Sequence, residues 1–208
     1  MKKILPILFF TMAICSKNNA QVADSFLLNE NFDRNKMGWI EEFTDAHYTG
    51  IKDGFLYIVS KDTSKLQTSN GPQNVSFLWD VPNAYEITTA VYPLKTHAGA
   101  AYGIIISSST LTYKFSYSTD DALAELTEND YNKEEEIYVF SKKQTGIIKV
   151  KTDPVIFKIK IAERKFIFFI NDKKISEGEF NAKAWDGIRL FVTSGSSIKA
   201  DYLKIKKE

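Results

Sequence analysis

From Phe26 onward the chain alternates short apolar runs with short polar ones. The apolar runs are rich in Ile, Val, Tyr, Phe and Thr, and clusters of Asn, Asp, Gly and Ser divide them. This is the pattern of many short strands, with no long stretch at helical spacing. The runs predict strands over 27–33, 47–51, 54–60, 75–80, 84–93, 99–108, 111–118, 122–127, 135–141, 146–150, 154–163, 165–171, 173–180, 187–193 and 197–206. Within several of them the period is two. Over 111–117, Leu111, Tyr113, Phe115 and Tyr117 share one face, and Thr112, Lys114 and Ser116 share the other. Over 155–161, Val155, Phe157, Ile159 and Ile161 oppose Ile156, Lys158 and Lys160. Over 198–205, Ile198, Ala200, Tyr202 and Lys204 oppose Lys199, Asp201, Leu203 and Ile205. One buried and one wetted face per strand is the antiparallel signature, and so many strands predict an all-β sandwich or barrel.

The punctuation agrees. Asp53-Gly54 between two apolar runs suits a two-residue hairpin turn. Asn171-Asp172 suits another, because both residues tolerate left-handed backbone. Ser118-Thr119-Asp120-Asp121 is a third turn. The stretches 61–74 and 94–98 are irregular, and the first holds Ser69-Asn70-Gly71-Pro72. The acidic segment 128–136 reads as a solvated loop. Its sharper alternative is a calcium site, which needs several oxygens converging on one ion, and the strict spacing of a helical calcium loop is absent. There is no internal repeat.

The first residues read differently. Lys2 and Lys3 precede the apolar run Ile4–Ile14, which is too short to span a bilayer as a helix. Ala20 then offers a small residue before Gln21. The expectation is an export signal over 1–20 cut after Ala20, a short linker over 21–25, and one domain over 26–208. The product would be exported to the periplasm, the cell surface or the medium, with no transmembrane segment. The rival is a lipid anchor on Cys15, which the bulky Ile14 before it disfavours.

Two consequences follow. Cys15 is the chain's single cysteine, so a domain without it has no disulfide and no cysteine zinc site, and its core alone must hold it. Removing 1–20 also takes Lys2, Lys3 and Lys17 from the 27 basic residues and none of the 26 acids, leaving a net charge of −2. No basic surplus points to nucleic acid or an anionic membrane.

Recognisable catalytic chemistry is absent. His47 and His97 are far apart and have no companion at metal-ligand spacing. No Gly-x-Ser-x-Gly elbow and no Gly-rich phosphate loop occurs. No cofactor is expected. The aromatic residues say more. Most of the 15 Phe belong in a core. In Val75–Asp80, Phe77 and Trp79 share a face opposite Leu78; with Leu78 in the core, Trp79 faces outward beside Tyr113 and Tyr117. Trp79, Tyr113, Tyr117 and Tyr102 are therefore the candidate ligand-binding residues, a platform for the apolar C–H faces of pyranose rings, with Tyr48 and Tyr92 as lesser candidates. The platform fails if the Tyr113 face is the inner one.

The order of segments resembles exported bacterial domains of the concanavalin A-like lectin/glucanase superfamily, of the laminin-G-like and 3-keto-disaccharide hydrolase types. The resemblance rests on Asn29-Glu30-Asn31-Phe32-Asp33 with Trp39, on Ile51–Ile58, on Ala101–Ile106 followed by Tyr113–Tyr117, on Phe157–Ile161 with Phe168–Ile175, and on Gly187–Val192 before Ile198–Ile205. It implies a jelly roll of two antiparallel sheets with the first and last strands side by side. It departs at the glucanase strand of alternating acids. In the comparable stretch, Tyr85–Ala90, Glu86 stands alone, with Thr88 and Ala90 where further acids would be. The architecture serves binding, hydrolysis and adhesion alike. The leading expectation is a non-catalytic module that recognises a polysaccharide or other glycan. The alternatives are a glycan-active hydrolase or lyase, and a structural partner of another protein with no sugar affinity.

Overall fold

A computed structural model describes residues 26–62, 67–68, 71, 79–80, 83–133, 135–147 and 153–208. The expected signal and linker, most of the loop 61–74 and most of the strand expected over 146–150 lie outside them. In chain order the strands are β1 (Phe26–Glu30), β2 (Glu42–Phe43), β3 (His47–Lys52), β4 (Phe55–Ser60), β5 (Gln67–Thr68), β6 (Trp79–Asp80), β7 (Tyr85–Lys95), β8 (Tyr102–Ser107) and β9 (Leu111–Ser118). They continue as β10 (Leu123–Asp130), β11 (Glu135–Lys143), β12 (Val155–Ala162), β13 (Lys165–Ile170), β14 (Lys173–Glu179), β15 (Ala184–Trp185), β16 (Gly187–Val192) and β17 (Ser197–Lys207). Among the described residues no helix is long and apolar enough to cross a membrane.

Two antiparallel sheets face each other. The larger runs β14-β13-β12-β7-β17-β4-β3-β2, with β1 also on β17; the smaller runs β11-β10-β9-β8-β16-β5. First and last strands are neighbours, as the resemblance implies. The alternation read from the sequence explains the core. Val155, Phe157, Ile159 and Ile161 of β12 are fully buried, and so are Tyr102, Ile104 and Ile106 of β8. Across the gap Phe115 meets Phe166 and Phe168 edge to face at 5.6 and 5.3 Å, and Tyr102 meets Phe157 at 6.1 Å, the geometry that ring quadrupoles favour.

β17 departs from its simple alternation. Ile198 and Ala200 were expected on one face and Leu203 and Ile205 on the other, yet all four are buried. A bulge at Asp201 is the cause, the register slipping between Ala200 and Tyr202. An inserted residue reverses the phase of every side chain after it. It falls where the partner changes: one edge of β17 pairs with β4 over Ser197–Ala200 and with β1 from Leu203 onward.

The hairpins follow turn chemistry in part. Asp53 and Gly54 take φ of 52° and 75°, and Asn171 and Asp172 take 48° and 60°, as a two-residue turn matched to strand twist requires. Glu163 and Arg164 form the same turn with φ of 50° and 60°, although neither residue announces one. The acidic segment 128–136 is a loop only in its middle, where 131–133 form a turn. Glu128–Asp130 end β10 and Glu135–Glu136 begin β11 in register. Asp130 accepts from the Asn132 amide at 3.0 Å and pairs with Lys133 at 3.3 Å; both lower its carboxyl pKa. Among the described residues no group of three His, Cys, Asp or Glu could hold a metal ion.

Candidate functional site

The expected platform does not form. Tyr102, Tyr113 and Tyr117 are at most 2% exposed, because their face of β8 and β9 is the inner one. The hydroxyls reach the rim of the core and find partners there, as buried tyrosines require. The Tyr113 oxygen accepts from the Asn181 amide at 2.7 Å, and its ring stacks on Phe180 at 4.5 Å. Tyr102 shares a hydrogen bond of 2.6 Å with Thr119. Burial pushes all three phenol pKa values up. The backbone of Trp79 pairs with Trp185; its side chain lies outside the described residues. The lesser candidates sit on the outer face of the larger sheet. Tyr48 is half-buried against Phe43 at 6.1 Å, and Tyr92 against Phe55 at 5.9 Å.

With the tyrosine face of β9 turned in, its Thr112, Lys114 and Ser116 face turns out. The registers of the smaller sheet lay that outer face out in rows. Arg189, Ile105, Lys114, Thr127 and Tyr138 form one row across five strands, and Phe191, Gly103, Ser116, Glu125 and Ser141 form the next. Five strands set roughly 4.8 Å apart make a row roughly 19 Å long. The middle of this face is a floor. Phe191 is fully buried, and Ser116, Thr127 and Ile105 are 2–5% exposed. At Gly103 the floor cannot be raised: a Cβ there would lie 2.0 Å from the Phe115 carbonyl oxygen.

Polar and aromatic groups stand around that floor. Arg189, two residues from Gly187 on β16, makes no ion pair with any described acid. Glu125 accepts from the Ser141 hydroxyl at 2.9 Å. Tyr138 is 64% exposed and Tyr131 is 53% exposed, and the Tyr131 hydroxyl is 2.7 Å from that of Thr112. Asp121, beyond Ser118 at the end of β9, is occupied. It accepts from the Ser118 hydroxyl and the Gly99 amide, both at 2.7 Å, and these bonds lower its carboxyl pKa. The positions around Glu125 on the sheet, Ser116, Ser141 and Thr127, carry hydroxyls. The face thus offers a planar guanidinium, a carboxylate, the Thr112 and Ser141 hydroxyls and two phenol rings around a buried strip of Phe191, Ile105, Ser116 and Thr127. Such a set can hydrogen-bond a polyhydroxylated ligand and stack on its C–H faces.

Sequence reasoning passed over Arg189, Glu125, Tyr131 and Tyr138. The signal was available in the alternation: Ile188 and Leu190 on one side of β16 put Arg189 on the other. Glu86, the lone acid of the comparable glucanase stretch, lies on the opposite outer face and pairs with Lys160 at 3.0 Å.

No family model matches the chain, and no curated protein matches it. Solved structures do share its fold. A protein of unknown function with a galectin-like fold from Bacillus subtilis is 9% identical, with a TM-score of 0.66 over 88% of this chain and 96% of that one. The catalytic domain of an endo-1,3-beta-glucanase (laminarinase) from Thermotoga petrophila RKU-1 is 12% identical, with a TM-score of 0.59 over 88% and 97%. The endo-beta-1,3-glucanase from Pyrococcus furiosus is 10% identical, with a TM-score of 0.61 over 88% and 94%. At these identities the likeness establishes a two-sheet, concanavalin A-like jelly roll, and it does not single out the laminin-G-like or 3-keto-disaccharide hydrolase type.

Proposed function

We propose that this chain is an exported, non-catalytic glycan-binding module, and that it binds on the outer face of the six-stranded sheet. The observation that carries the reading is the combination on one face of a buried floor, an Arg189 with no ion pair to a described acid, and the exposed rings of Tyr131 and Tyr138. Solved structures of the same fold include glucanases, which supports a carbohydrate as ligand. Glycoside hydrolysis by the usual route needs two carboxyl groups roughly 5 to 9.5 Å apart. Glu125 has hydroxyl-bearing neighbours across and along the sheet, so binding without bond cleavage is the better fit.

The test is a glycan array that includes β-1,3-glucans, followed by titration of the best ligand. Arg189→Ala and Tyr138→Ala should each weaken binding about tenfold or more, a loss of about 1.4 kcal/mol. Release of reducing ends by the wild-type chain, abolished by Glu125→Gln, would make the protein a hydrolase. Absence of binding to every glycan would favour a structural or protein-interaction role.

A further inference from the structure

Arg189 is a charge that the described residues around it leave unbalanced. Its neighbours along β16 are Gly187 and Phe191, Ile105 lies across from it on β8, and Gly103 and Ser107 lie on the diagonals. None of them is an acid. On its other side the chain passes as Gly71, where a Cβ would meet the Ile188 carbonyl oxygen at 2.5 Å and the Arg189 Cγ at 3.7 Å. Residue 71 thus lies against the arginine stem and puts no side chain over it. On the two rows that cross this face the acid is Glu125, three strands away on β10, roughly 14 Å at the usual strand spacing. It accepts from the Ser141 hydroxyl at 2.9 Å and sits diagonal to Lys114 of β9. Glu125 and Lys114 offset each other in charge. Arg189, half-buried beside Ile105, is left as the net positive charge of the two rows.

We propose, resting on the glycan-binding reading of this face, that the glycan it takes is acidic and sets a carboxylate or sulfate group on the Arg189 guanidinium. A ligand laid along the row covers the guanidinium and takes water from it, and a charge so covered is costly unless it is paired. A neutral sugar offers only hydroxyl acceptors. A carboxylate or sulfate matches the planar fork with two parallel hydrogen bonds, and charge-assisted bonds are roughly twice as strong as neutral ones. The ring that carries the acid group then lies over Ile105, which is 5% exposed. The rest of the glycan runs along the row toward the exposed ring of Tyr138. The net charge of the whole chain is +1, so the preference is local to this arginine and owes little to the field of the molecule at large.

The probes are oligosaccharides in matched pairs, titrated calorimetrically into the wild type and Arg189→Ala: uronate oligomers with their carboxyl-reduced counterparts, and sulfated oligomers with their desulfated ones. The wild type should bind at least one acidic member about tenfold or more tighter than its neutral partner, and the pair that shows it identifies the anion. Arg189→Ala should bring the acidic member down to the affinity of the neutral one and leave the neutral one unchanged. Arg189→Lys, which keeps the charge and loses the fork, should fall between. Raising NaCl from about 0.05 M to about 0.5 M should weaken the acidic complex of the wild type and leave that of Arg189→Ala unchanged, because salt screens the charge pair alone. Neutral members bound as tightly as their acidic partners, or an acidic preference that survives Arg189→Ala, would overturn the acidic class and leave the glycan-binding reading in place. Absence of binding to every probe, acidic and neutral, would overturn both.

Discussion

On the outer face of the nine-stranded sheet the long side chains are satisfied by one another. Lys160 reaches Glu86 at 3.0 Å and Glu208 at 2.6 Å; both raise its ammonium pKa, Glu208 the more. Lys158 pairs with Asp172 and lies over Phe169. Lys199 lies 3.8 Å from the centre of the Phe55 ring and 5.2 Å from that of Tyr92, so its charge covers the very rings that a ligand would need. On the outer face of the six-stranded sheet Arg189 makes no ion pair with a described acid, and the rings of Tyr131 and Tyr138 stay exposed. Both faces arise from the same period of two. The two faces differ in what covers their exposed rings: a lysine lies over Phe55 and Tyr92 on one, and the rings of Tyr131 and Tyr138 stay open on the other.

Four substitutions probe that contrast, in descending order of effect. Phe115→Ala removes the ring that bridges both sheets and should cost about 3–5 kcal/mol in urea unfolding, weakening both faces together. Arg189→Ala should weaken glycan binding about tenfold while changing stability by less than about 0.5 kcal/mol. Lys199→Ala should do the reverse. Losing its contacts with two rings should cost about 0.5–1 kcal/mol and leave binding unchanged; a loss of binding there would move the site to the other face. His97→Asn should have the smallest effect, and one that depends on pH. Both ring nitrogens of His97 face carbonyl oxygens, Ser194 at 2.9 Å and Ala98 at 2.8 Å, so both must donate and the pKa rises above 6.5. A raised value means that the contribution is fully present below the unfolded pKa and disappears as pH rises through the folded one. The variant should therefore be less stable than the wild type at about pH 5 and equal to it at about pH 9, as thermal melts at the two values would show.

Much of this fold was legible in the sequence, for a physical reason. Where one face of a strand is buried, alternation carries the answer, as in β9 and β12. Where a partner changes partway along a strand, it does not: nothing in Ser197–Lys207 marks the bulge at Asp201, which answers to β4 and β1 rather than to local propensity. Turns behave alike. Asn171-Asp172 declares its left-handed backbone, whereas Glu163-Arg164 is forced into the same shape by the register of β12 on β13. The two-residue strands β2, β5 and β15 are too short to leave a pattern. The tyrosine platform failed for a related cause. Aromatic residues attract attention as a platform, but on a sandwich strand the aromatic face is the one that water leaves. The informative positions were the polar ones between them.

The most direct test of which face binds is amide chemical-shift mapping by NMR, with the best-bound oligosaccharide from the array titrated into labelled protein. The expected result is a set of perturbed amides confined to β8, β9, β10, β11 and β16, strongest near Arg189 and Tyr138. Perturbations centred instead on Phe55, Tyr92 and Lys199 of β4, β7 and β17 would contradict the account.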